Sequence, residues 1–160
     1  MTTKRVSYGR RMGKLEPALP WEADAPETSV VREDAEASGL TYDLEERTAK
    51  FAEEVIEFLK RVPLGPRTNR LVDQLTGCGT SIGANYCEAD DAISKREFVK
   101  IIGTCRKEAR ESKFFIRILV KACPDLRDTA IPLWREVREL RLIFSRIRRT
   151  AQKNMAASEK

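Results

Sequence analysis

From residue 42 onward, apolar side chains recur at alternating spacings of three and four, the mark of one-sided helices. No stretch shows the period of two that a half-buried strand needs. In the first segment Leu44, Thr48, Phe51, Val55, Phe58 or Leu59, and Val62 share one stripe, with Asp43 and Glu46 set for a capping box and Pro63 as the stop. A second segment opens at Gly65-Pro66, where a proline in the first turn loses no hydrogen bond. Its stripe runs Leu71, Leu75, Cys78, Ile82, Asn85 or Tyr86, and Ala89. The third starts at the capping box Ser94-Lys-Arg-Glu97, buries Phe98, Ile101 or Ile102, Cys105, Ala109, Ser112 or Phe115, Leu119 and Ala122, and ends at Pro124. The fourth begins near Asp128 or Thr129, takes Pro132 in its first turn, and continues Leu133, Val137, Leu140, Phe144, Ile147 and Ala151.

Four such helices of about 20 to 28 residues, joined by short Pro/Gly connections, predict an all-α, antiparallel up-down-up-down four-helix bundle. The bundle occupies residues 41–153, with 154–160 expected as a disordered C-terminus. Residues 1–40 read as a flexible tail. Their first fourteen positions carry five positive charges, and residues 15–40 carry seven acids against Arg32 alone, with Pro17, Pro20, Pro26 and Gly39 interspersed. That composition buries too little apolar surface to offset the entropy of ordering. Trp21 in this tail is either an incidental aromatic or a docking anchor.

A chain of 160 residues suits a single core. Four cysteines stand at 78, 87, 105 and 123 with no CxxC pair and no histidine, which argues against a zinc site and leaves no metal or cofactor expected. Free thiols, and no apolar run long enough for a leader or a membrane span, predict a cytoplasmic protein with no membrane partner.

The stretch GCGTSIGANYCEA, Gly77 to Ala89, invites a phosphate-loop reading. It lacks the lysine of a Walker loop and the preceding strand of a dinucleotide fingerprint. Inside a helix, three glycines cost about 2 to 3 kcal/mol relative to alanine. Close helix packing at Gly79 and Gly83 is the expected return.

Three ordered motifs carry a resemblance: Gly79 to Ala89, Ser94 to Phe98, and Lys107 to Glu111 followed by Phe114 and Phe115. Over residues 42–152 the chain resembles the bacterial four-helix bundle family also called 23S rRNA intervening-sequence proteins. The family usually has Tyr-Trp where Phe114-Phe115 stand, so the aromatic pair is kept without its polar tips. Related proteins include the accessory variability determinant of diversity-generating retroelements, a five-subunit barrel with a basic exterior. The resemblance thus implies a homo-oligomer, a pentamer, with RNA or DNA and a reverse transcriptase as partners. Apolar positions beyond the seam, Val72, Val99, Ile116 and Ile118, are the expected subunit contacts.

Charge locates the candidate surface. The net charge is +5, yet residues 94–153 hold seventeen positives and seven acids. Arg106, Arg110, Lys113, Arg117 and Lys121 fall within about 80° of one helix face, and Arg135, Arg138, Arg141, Arg148 and Arg149 within about 140° of another, at 100° per residue. Arginine suits bidentate phosphate contact. Asn85, Glu88 and Glu108 are expected to set register at a helix or subunit interface, together with Gly79 and Gly83. Catalysis is not expected: two carboxylates without a nucleophile, a histidine or a substrate handle do not make an acid/base site. The expected function is a non-enzymatic accessory factor that binds nucleic acid or a reverse transcriptase, the alternative being a protein-only assembly module.

Overall fold

Capping decides where the helices begin. In the computed structural model, which describes residues 18–22 and 43–158, helix α1 spans Leu44–Leu59, α2 Asn69–Asp90, α3 Lys95–Ala122 and α4 Arg127–Ser158. Asp43 Oδ1 accepts the Glu46 N–H at 2.9 Å, and Ser94 Oγ accepts the Glu97 N–H at 3.2 Å. Glu97 returns a bond by accepting the Ile93 N–H at 3.1 Å, closing the box around the α3 start. A short 3-10 turn, Pro124–Leu126, joins α3 to α4.

Connections this short force consecutive helices to run antiparallel. Each helix packs on its neighbours in sequence and α1 meets α4, whereas no Cα of α1 comes within 8 Å of α3, nor of α2 within that distance of α4. The result is an up-down-up-down ring of four helices. Phe51, Val55, Leu75, Ile82, Ile102, Cys105, Ile116, Leu119, Val137, Leu140 and Phe144 fill its centre at 1 % exposure or less. Each such large apolar side chain contributes roughly 1.5 to 3 kcal/mol. Among the described residues there is no strand.

Four details depart from the sequence reading. Helix α2 begins at Asn69, not at Gly65-Pro66, because side chains hold a turn there: Thr68 Oγ1 donates to the Pro63 carbonyl at 2.5 Å and Asn69 Oδ1 accepts the Gly65 N–H at 2.8 Å. Pro132 lies in the second turn of α4, and the Asp128 carbonyl it leaves without an N–H belongs to an exposed residue. Helix α4 continues through Ser158 where disorder was expected from 154, since Met155, Ala156 and Ala157 favour helix and no breaker intervenes; Glu159 and Lys160 lie outside the described residues. Val99 and Ile116, expected at a subunit contact, are buried within the protomer at 9 % and 0 % exposure. Val72 and Ile118 are half-buried.

Five residues expected in the tail are placed. Ala18–Glu22 form a turn in which the Glu22 N–H donates to the Leu19 carbonyl at 2.8 Å and Glu22 Oε2 accepts the Leu19 N–H at 2.9 Å. The rest of 1–40, and its expected flexibility, lies outside the described residues.

Candidate nucleic-acid interface

The α1–α2 side of the bundle is built by missing side chains. A Cβ on Gly79 would stand 3.1 Å from both Val55 methyl carbons, and one on Gly83 would stand 3.3 Å from Thr48 Oγ1. The two glycines therefore admit α1. Asn85 is half-buried and donates to the Ser81 carbonyl of its own helix at 2.6 Å, and Glu88 is exposed. Among the described residues neither bonds to another helix, whereas Arg47 and Glu136 join α1 to α4 through two bonds of 2.6 and 3.1 Å.

The opposite side, between α3 and α4, carries the positive charge. Two contacts define which flanks face each other. Lys113 Nζ stands 4.8 Å from the centroid of the Trp134 ring, and a Cβ on Gly103 would stand 3.3 Å from Arg148 Nε. On α3, the stripe of Arg106, Arg110, Arg117 and Lys121 lies within about 80° of Lys113, on this same flank. On α4, Arg141 falls between Trp134 and Arg148, Arg138 and Arg149 lie within about 60° of Trp134, and Arg135 lies about 100° away. Two stripes that are separate in sequence become the walls of one groove.

Within that groove Arg106, Arg110, Arg117, Lys121, Arg135 and Arg149 are exposed, and Lys113, Arg138, Arg141 and Arg148 are half-buried. Arg148 Nε is sealed from solvent and has no hydrogen-bond partner among the described residues. Gly103 makes room for it. Acids are largely elsewhere. The flank of α3 that faces α2, marked by Ser112 Oγ at 3.2 Å from Cys78 Sγ, is the side toward which Glu108 and Glu111 turn. Glu136 is engaged by Arg47 of α1, and Glu139 sits 3.7 Å from Arg138 at the outer rim.

Glu108 is largely covered, and burial, with Glu111 next to it, raises its carboxyl above the usual range while Lys107 at 3.9 Å opposes the shift. Burial also pushes the Cys78 thiol up to about 11 and the Cys105 thiol up to about 12. Both are protonated at neutral pH and inert as nucleophiles or ligands. Among the described residues no cluster of His, Cys, Asp and Glu could hold a metal ion, and no helix is long and apolar enough to cross a membrane. All four cysteines are free.

The sequence reading missed Trp134 as the platform for Lys113, since the ring falls beside the strict seam and is only 2 % exposed. It left the role of Trp21 open. Trp21 packs on Trp134 with ring centroids 5.6 Å apart.

Comparison with curated proteins returns no match. A crystal structure of a protein of unknown function, from the S23 ribosomal protein family of Bacteroides thetaiotaomicron, shares the fold. It aligns at TM-score 0.60 and 23% identity, over 65% of this chain and 96% of that one. The match extends to the helices that build the glycine contacts and the arginine groove: residues 41–146 fit the family of 23S rRNA-intervening sequence proteins, and the chain belongs to that family.

Proposed function

We propose that this protein binds nucleic acid, with RNA as the first ligand to test, along the α3–α4 groove as a non-catalytic accessory factor. The observation that carries the reading is the convergence of ten arginines and lysines from two helices on one groove whose acids, Glu139 at the rim apart, are turned to other flanks. Crowding like charges in this way is unfavourable until counterions or a polyanion offset it. From Arg106 to Lys121 the groove runs about 22 Å at the helical rise, the axial length of about six phosphates on one strand. The family description names an intervening sequence of 23S rRNA, which makes RNA the natural first probe.

Binding of this kind is salt-steep. With about five phosphates neutralised, the log–log salt slope is about −3.5 on a single strand and about −4.5 on a duplex. Titration of a labelled RNA at several salt concentrations tests it, with Arg110, Arg117 and Arg138 all changed to glutamate as the control. The triple variant loses binding and keeps its helicity. Wild-type binding that is absent, or indifferent to salt, overturns the reading.

A second reading, a protein-only assembly module, is favoured by Phe114, which is 56% exposed and meets Phe115 edge to face. Mass measurement separates the two, because an assembly contact at this ring predicts a higher-order species that Phe114→Glu reduces. A reverse transcriptase as the protein partner rests on the family resemblance alone.

A further inference from the structure

One end of the basic groove already has an occupant. Leu19, Trp21 and Glu22 form one wall of a cleft of about 900 Å³ where the end of α3 meets the start of α4, with Arg117, Lys121 and Arg127 and the acids Asp125 and Asp128 on the others. Trp21 is half-buried there against Trp134, at an interplanar angle of 56°. The ring it meets is the one that carries Lys113. The two are the chain's full complement of tryptophan, far apart in sequence and in contact in the fold.

The docked turn is self-contained. Its two Leu19–Glu22 bonds close the backbone on itself, and its packing on the bundle core is made by Trp21. Half-burial of one indole is opposed by the entropy of ordering five residues, so the turn is weakly held. Of the seven acids that residues 15–40 carry against one base, it sets Glu22 beside the cleft.

We infer that the cleft at the α3–α4 end of the groove is a docking site for this chain's own Leu19–Glu22 segment, seated there in competition with a polyanionic ligand. The competition rests on the nucleic-acid reading above, whereas the docking does not. Twenty-one peptide bonds separate Glu22 from Asp43, so the tether is long enough for the turn to leave and return without disturbing α1.

The test uses the full chain and its Trp21→Ala variant, with a 20-nucleotide polyuridine RNA as probe. Two indoles in contact at a tilt give a near-ultraviolet circular dichroism signal that Trp21→Ala removes while far-ultraviolet helicity stays unchanged. RNA is expected to diminish that signal in the wild type. If the turn is seated about four-fifths of the time, removing its anchor tightens apparent RNA affinity about fivefold. Glu22→Arg, which replaces an acid of the docked turn by a cation beside Arg117, Lys121 and Arg127, is expected to shift affinity in the same direction. A wild type that lacks the paired-indole signal overturns the docking, whatever RNA does. A signal that fades on dilution assigns the segment to a second copy and overturns docking within one chain. An intact signal with equal RNA affinity for wild type and variant overturns the competition. RNA bound by neither protein, with the signal intact, overturns the groove reading and the competition together while the docking stands.

Discussion

Lys113 of α3 stands over the indole of Trp134 of α4, its Nζ 4.8 Å from the ring centroid. One cation is thereby seated on the inner wall of a groove lined by both exposed and half-buried basic side chains. The contact joins the two helices that form the groove, so it links packing to the surface on which the proposed function depends.

Replacing Lys113 by methionine keeps the apolar stem that packs along the helix and removes the charge. The loss of a cation–π contact at a half-buried site costs about 0.5 to 2 kcal/mol. Urea denaturation reads that difference. Lys113→Arg retains most of it, and unchanged stability in the methionine variant would show the contact to be incidental.

The glycine stretch gives a pair of opposite signs. Gly79→Ala puts a methyl 3.1 Å from two carbons of Val55, which is itself fully buried and β-branched and has no free rotamer to retreat into. Overpacking of this kind costs about 1 to 3 kcal/mol, against about 1 kcal/mol gained in helix propensity. Net destabilisation is expected. A Cβ at Gly77 meets nothing within 4 Å, so Gly77→Ala stabilises by about 0.5 to 1 kcal/mol. Thermal melts of the two variants should move in opposite directions.

Thiol reactivity should divide the cysteines. Cys87 is exposed, Cys123 is half-buried, and Cys78 and Cys105 are buried with thiols raised to about 11 and about 12. At pH 8 a disulfide reagent is expected to modify Cys87 at once and Cys123 more slowly. Cys78 and Cys105 react only on unfolding, because the thiolate is scarce and covered. Rapid modification of all four in the native protein would contradict the packing of α2 on α3.

Glu108 sets a pH dependence of definite sign. Its folded carboxyl titrates above the ordinary value of 4.5 because burial disfavours its charge, with Glu111 adding to the effect. The folded state therefore holds this proton more tightly than the unfolded chain. No penalty exists below the unfolded value, and the penalty is complete once pH exceeds the folded one. Glu108→Gln should raise the melting temperature at pH 7 and change it little at pH 4. Equal effects at both pH values would place the benefit elsewhere than in the buried charge.

Much of this was legible without coordinates. The stripe Leu44, Thr48, Phe51, Val55, Phe58 and Leu59 is the buried face of α1, because a period near 3.6 leaves one face of a helix available to a core, and Val62 is buried just beyond the helix end. Caps at Asp43 and Ser94 were readable for the same local reason: a side-chain oxygen three residues before an N–H finds it whatever the rest of the chain does. The start of α2 was not readable, since Thr68 and Asn69 hold the Gly65 turn through bonds that compete with a helical first turn. Val99 and Ile116 were assigned outward because a strict seam underestimates the width of the face that a helix with two flanking neighbours buries.

Sequence alone determined the number of helices, their phases and the two arcs of positive charge, since these depend on spacing along one chain. Only the tertiary structure decided that the arcs adjoin along the α3–α4 seam. That outcome depends on which flank of α3 meets α4, and it is settled by the order of packing around the ring: Ser112 turned to Cys78 of α2, Gly103 and Lys113 to Arg148 and Trp134 of α4. The seat of Trp21 was decided in the same way, because an indole in a charged segment has no partner until the fold sets Trp134 beside a cleft that can receive it.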